Sequence, residues 1–335
     1  MKYFFFPIYI LTLLAEPCPA QDKNSSINPG KIWKDQSDET INAHGCGILY
    51  FDHTYFWFGE VKKGKTWLVP NSSWEDYRVN AGGISCYSSK DLLHWKYEGL
   101  ALSPVSDDSS SDLHTSRVIE RPKVIYNAQT RKFVMWMHID KEDYGYAHAG
   151  LAVSEKAAGP YKYVGSMRPN GQESRDMTIF QDEDGRAYMI YSSEGNKTMH
   201  ITQLSDDYLK PGPGFKRILV NANREAPALF KSGRKYYLIT SLCTGWDPNM
   251  ALYAEAAEPM GEWKSEGNPC TGPGADSTYH AQSSYVLPIA GKNNQFVFIS
   301  DRWNKTNLED SRYVWLPLTM REGKPVIEWK AAWKP

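Results

Sequence analysis

The 335-residue sequence predicts an all-β chain folded as a five-bladed β-propeller. Two hairpin-like patterns carry the prediction. Each recurs five times, and the two alternate along the chain. Together they make a four-strand unit of about 50 residues, the size of one propeller blade.

The first pattern is a short apolar strand, a turn of Gly, Asp, Asn or Lys, and an aromatic strand. Its copies are GILYFDHTYFWFGE from Gly47, PKVIYNAQTRKFVMWMH from Pro122, MTIFQDEDGRAYMIYSS from Met177, PALFKSGRKYYLITS from Pro227 and SSYVLPIAGKNNQFVFIS from Ser283. The second is a small-residue strand, a loop, and a strand ending in an aromatic or apolar residue. Its copies start at Gly82, Ala147, Met199, Asn249 and Ser311. No long helical periodicity interrupts the series, and a β-sandwich would not require five alternating copies. Residues 62–79 and 103–118 exceed the repeat and are expected to be surface loops, with a site rim as one use for them. Residues 21–39 form a polar lead-in.

Residues 1–20 resemble an export signal. Lys2 is followed by an apolar run from Tyr3 to Leu14, and Cys18-Pro19-Ala20 supplies small residues before Gln21. The run is short for a membrane span. The expectation is a cleaved, exported product, periplasmic, surface-attached or secreted, with residues 21–335 as one domain and a monomer as the default state. Its formal net charge of -1, with no basic stretch, argues against nucleic acid as the partner. Aromatics at 13% fit both a β core and sugar-stacking surfaces. Cys46, Cys86, Cys243 and Cys270 form no C-x-x-C pair, which disfavours zinc. Export permits disulfides. Cys243 with Cys270 is the favoured pair, and buried free thiols are the equal alternative.

Aligning the first hairpins brings five polar residues to one position. His44, Glu120, Glu225 and Gln282 each lie four residues before an apolar strand residue (Ile48, Val124, Leu229, Val286), and Asp176 lies four before Phe180. The first strand of each blade lines a propeller's channel, so equivalent positions form a ring. Several carboxyl-type groups around one small volume suit glycoside hydrolysis: one carboxyl protonates the leaving oxygen and a second group handles water. Ala226-Pro227-Ala228 follows Glu225 and makes its surroundings apolar. That favours retention of a proton and marks Glu225 as the candidate acid. Asp176 is placed to tune it by like-charge repulsion. Arg121, Arg175 and Arg224 adjoin ring members, but strand neighbours point to opposite faces, so adjacency alone predicts no ion pair.

The stretches INAHGCGILY, ERPKVIYN, SRDMTIFQDEDG, REAPALFK, TGWDPN and AQSSYVLP, from Ile41 to Pro288, resemble glycoside hydrolase family 43, closest to its galactan 1,3-β-galactosidase-like subfamilies 24 and 34. The resemblance implies a five-bladed propeller, inversion of configuration and exo-action on a polysaccharide or oligosaccharide such as an arabinogalactan. By motif, it implies Glu225 as general acid, Asp176 as the residue that tunes and orients it, Glu120 as a substrate-subsite carboxylate, and Gln282 as a holder of the attacking water. Most family members carry a base Asp in an Ala-Asp-Pro setting in the first blade. Here Ala43-His44-Gly45 stands instead, so the base is Glu120, Gln282 acting on water, or, more weakly, His44, whose other reading is a satisfied structural histidine. His44 is also a candidate substrate contact, Tyr144, Trp246 and Trp303 are candidate sugar-stacking residues, and Asp247 is a hydroxyl ligand or a turn residue before Pro248. Hydrolysis by carboxyl groups requires no cofactor and no metal. The resemblance allows a structural Ca2+ in the channel near Asp176 and Gln282. The alternatives are an α-L-arabinofuranosidase or galactofuranosidase on the same scaffold, and a non-catalytic carbohydrate-binding propeller.

Overall fold

Four-strand antiparallel sheets follow one another along the chain, each built from one copy of each hairpin pattern. Their innermost strands are His44–Phe51, Val118–Asn127, Met177–Gln181, Arg224–Ser232 and Gln282–Pro288. Each inner strand packs beside the next, and the fifth packs on the first, so the sheets close into a five-bladed propeller. The computed structural model describes Met1 and residues 25–335. Apart from Met1, the expected export signal, residues 1–20, lies outside the described residues.

Both faces of each inner blade strand are covered by neighbouring blades, and the burial runs are nearly continuous. The fifth sheet carries an extra edge strand, Cys270–Thr271, parallel to Lys324–Glu328. The polar lead-in is more docked than its composition suggests. Ile27 pairs with Trp333, Ile41 is buried, and Trp33 joins an aromatic cluster between the first and fifth blades. There Trp315 is fully buried, with ring centroids 4.6 Å from Trp57, 5.1 Å from Trp33 and 6.0 Å from Trp95. These rings hold first and last blades together, with the paired ends of the described chain beside them.

The two insertions differ. Residues 62–79 include a small hairpin, Trp67–Leu68 with Tyr77–Arg78, and reach the channel mouth. In the insertion of residues 103–118, Asp112 instead accepts bonds from Tyr163 and Ser166, bracing the second blade. The favoured disulfide is absent: Cys46, Cys86, Cys243 and Cys270 are all free. Cys243 sits at the channel mouth, whereas Cys270 is buried against the outer strands of the fifth blade.

Trp315→Ala removes the centre of the closing cluster. It is expected to lower stability by about 3–5 kcal/mol, read as a fall in the denaturant midpoint.

Candidate active site

The ring of polar residues forms where a β-bulge interrupts the inner strand. Register slips by one residue after His44, Glu120 and Glu225, and just after Ser283 in the fifth blade. The third blade has no such slip. Asp176 therefore matches the other four when it is counted three residues before Ile179, not four before Phe180. The bulge is the extra residue, and strand counting hides it.

In three blades the residue after the ring member is left-handed: Gly45 (φ 57), Arg121 (φ 55) and Ala226 (φ 53). At Gly45 a Cβ would lie 2.1 Å from Glu60 Oε1, so a larger residue there would push the Glu60 carboxylate aside. At Arg121 the same twist overturns the expectation that strand neighbours face apart. Arg121 turns into the ring instead. Its Nε donates to Asp176 Oδ1 at 3.0 Å, and Nη2 lies 2.9 Å from Asp176 Oδ2. Nη2 also donates to Gln282 Oε1 at 2.7 Å, and Nη1 to the Ser283 carbonyl at 3.1 Å. Of the other two arginines, Arg175 bonds Glu173 and the Tyr144 carbonyl at the rim, and Arg224 points between blades.

Gln282 relays this order to Glu225. Its Oε1 also accepts from Trp303 Nε1 at 3.0 Å, while Nε2 donates to Glu225 Oε1 at 2.9 Å and Ser241 Oγ at 3.2 Å. Two donors at the oxygen and two acceptors at the nitrogen fix the amide orientation. Asp176 Oδ2 accepts the Ala226 N–H at 3.0 Å, which clamps the backbone beside Glu225. Burial, with the Asp176 charge adding to it, pushes the Glu225 pKa up to about 8, against the opposing pull of Arg121.

Glu120 is in the opposite state. Burial alone would raise it, but Lys62, His138 and Arg78 outweigh burial and hold its carboxyl well below the usual range. Lys62 Nζ lies 3.0 Å from Glu120 Oε1 and 2.8 Å from Glu60 Oε2. His138 Nε2 bonds Asp140 at 3.0 Å. Although burial opposes protonation, its neighbours Asp140 and Glu120 raise its pKa to about 9. Glu60 is buried, and its pKa is pushed up to about 7 by burial and the Glu120 charge despite Lys62.

These groups floor a cleft of about 700 Å3. Glu225, Asp176, Glu120 and Gln282 all line it, as do Tyr144, Trp246, Asp247 and Trp303. Trp246 and Trp303 meet edge to face at 5.0 Å and form one aromatic wall. Tyr144 is tied to the first-blade insertion, since its Oη accepts from Arg78 at 2.9 Å. Asp247 pairs with Lys305 at 2.9 Å, and Lys305 also reaches Glu75 at 2.6 Å, so one lysine links three rim loops. His44 does not line the cleft. It is 1% exposed, its Nδ1 lies 2.9 Å from Asp301 Oδ1, and it stacks on Tyr313 at 4.8 Å. That is the structural reading of this histidine.

Sequence reasoning missed Arg121, Glu60, Lys62 and His138. A signal existed for three of them. Glu60/Lys62 and His138/Asp140 are i, i+2 pairs at the ends of second strands, which places each pair on one face. Arg121 had no such signal, because only the bulge turns it inward.

Glu120, His138 and Asp176 present ligand-type atoms within 4.8 Å of one another. They do not fit a hard cation. The imidazole is held protonated, the Asp176 oxygens accept from Arg121 and Ala226, and the Gln282 oxygen accepts from Arg121 and Trp303. A Ca2+ near Asp176 and Gln282 would face the Arg121 guanidinium.

A group whose folded pKa is raised loses stability as pH rises. For Glu225 that window runs from the unfolded value of about 4.3 to about 8. Glu225→Gln is expected to keep its fold and to lack this loss, read as a smaller drop in melting temperature between pH 4.5 and pH 8. A catalytic acid acts only while protonated, so were Glu225 to serve as one, kcat would fall as pH rises through about 8. In Glu225→Gln it is expected to drop by about 10²–10⁴-fold at all pH values.

The profile of glycosyl hydrolases family 43 matches residues 60–286. A solved family 43 β-1,3-galactosidase is 41% identical, with a TM-score of 0.86 over 93% of this chain and 64% of its own. The exo-β-1,3-galactanase of Phanerochaete chrysosporium, solved with galactose, is 35% identical, with a TM-score of 0.82 over 92% of this chain and 68% of its own. The β-D-galactofuranosidase xynD of Aspergillus niger is 25% identical over 208 residues, 59% of each chain. This chain thus spans less than two thirds of the length of the first and the last of these. By the matched profile and the shared propeller, the chain belongs to glycosyl hydrolases family 43.

Proposed function

We propose that the chain is an exo-acting, inverting glycoside hydrolase that releases galactose from β-1,3-galactan, as found in arabinogalactan-type plant glycans. One observation carries the reading. Glu225 keeps its proton to about pH 8, at a cleft where a second ring carboxylate, Glu120, is held ionised. A proton donor and a separate negative group are what acid-assisted cleavage of a glycosidic bond needs.

Glu225 protonates the departing oxygen. Asp176, fixed by Arg121, keeps the proton on Glu225 by like-charge repulsion and clamps the Ala226 N–H beside it. The ionised Glu120 supports positive charge developing on the sugar. Water handling falls to the Glu60–Lys62–Glu120 group, because His44 is outside the cleft and the Gln282 amide is committed at both ends. The Trp246–Trp303 wall offers a stacking face for galactose. Lys305 closes the rim between three loops, which suits a chain end better than a chain passing through. The apolar N-terminal segment supports export, and the substrate is the only partner the reading requires.

Purified protein incubated with β-1,3-galactan is expected to release galactose, appearing first as the α-anomer in proton NMR. Release of arabinose, or activity on galactofuranosides with none on the galactan, would replace this reading with the alternative sugar. Binding without turnover would replace it with a lectin.

A further inference from the structure

A second cleft, of about 430 Å3, opens between the third and fourth blades. Its base is Arg224, which stands opposite Leu242 in the strand ladder and so lies at the same end of the propeller as the ring. Arg224 is 3% exposed. Its Nε donates to Thr240 Oγ1 at 2.9 Å and its Nη2 to the Thr240 carbonyl at 2.6 Å. Nη1 has no hydrogen-bond partner, and among the described residues no carboxylate forms an ion pair with this guanidinium. Burial pulls its pKa down to about 10, against the weaker opposing pull of Cys243 and Glu225.

A buried cation left unpaired is costly, and the chain keeps one at the base of an open cleft. The walls are of a different character. Trp263 lies on one side, held by its Nε1–H bond to the Pro259 carbonyl at 3.0 Å. Val220 and Leu242 form apolar lips, 48% and 38% exposed. Lys216 and Arg217 stand at the mouth, each paired with a carboxylate, Glu262 and Glu194, so Arg224 is the unpaired cation of the cleft among the described residues. A planar guanidinium matches a carboxylate. An indole with aliphatic lips matches the C–H face of a pyranose.

We propose that this cleft is a secondary glycan-binding site for a carboxylate-bearing sugar, a uronic acid, with Arg224 as the anion anchor and Trp263 as the stacking wall. Such a site would hold an acidic side branch of a glycan while a neutral chain end occupies the catalytic cleft.

The test is calorimetric titration of the purified chain with D-glucuronate, against D-glucose, which carries a hydroxymethyl group in place of the carboxylate, and sodium sulfate as a bare anion. Glucuronate is expected to bind at least tenfold more tightly than either. Arg224→Gln is expected to weaken glucuronate binding at least tenfold. Truncating a buried arginine threatens folding, so the exposed lip supplies the second variant. Val220→Glu is expected to repel the same ligand, again at least tenfold, while leaving hydrolysis of galactan unchanged. Equal binding of glucose and glucuronate overturns the proposal. So does sulfate binding as tightly as glucuronate, or a Val220→Glu variant that retains full affinity.

Discussion

The site depends on one side chain held in an unusual backbone state. Arg121 occupies the left-handed region within a β-bulge, and from there its guanidinium spans three blades. It pairs with Asp176 and orients Gln282, which in turn holds Glu225. An arginine is suited to this because its planar fork serves several acceptors at fixed angles, where an ammonium would act as a point charge. The left-handed conformation costs a non-glycine residue about 1 kcal/mol or more. The hydrogen bonds across the channel are what hold it there.

The same arrangement divides the charges of the cleft into two groups. On one side, Glu225 lies among burial, the Asp176 charge and the Gln282 amide, and keeps its proton. On the other, Glu120 lies among Lys62, His138 and Arg78, and loses its own. Like side chains in one small volume are thus driven apart in proton affinity by their neighbours, as acid catalysis beside an ionised carboxylate requires. The missing first-blade Asp fits this picture. The first blade still contributes carboxylate and ammonium, but from the end of its second strand, as Glu60 and Lys62. Its inner-strand residue, His44, instead bonds Asp301 and ties the first blade to the fifth.

The propeller makes such a site tolerant of exchange between blades. Each inner strand presents one residue to the axis, and its blade is stabilised by its own core and by contacts with neighbours. Ring closure is handled elsewhere, by the tryptophan cluster and the Ile27–Trp333 pairing. Polar residues around the axis are therefore freed from a structural burden, with His44 as the exception.

Much was written in the sequence. The alternating hairpins specify the blades, because strand patterning and turn residues are local properties. Four of the five ring residues stand at one offset from their strands, and the apolar stretch after Glu225 already points to a raised pKa. Other features depend on distance in space. The bulges shift Asp176 by one in the count and turn Arg121 inward, because the register of a strand is set by its partner. His44 leaves the cleft because Asp301 and Tyr313, more than 250 residues away, receive it. The free thiols have the same origin: Cys243 and Cys270, close in sequence, are carried to the channel mouth and the outer sheet by the strands between them. Sequence alone determined the repeat, the blade and the apolar setting of Glu225. Tertiary structure decided which charges face each other, because electrostatic coupling depends on distances that only the closed ring sets.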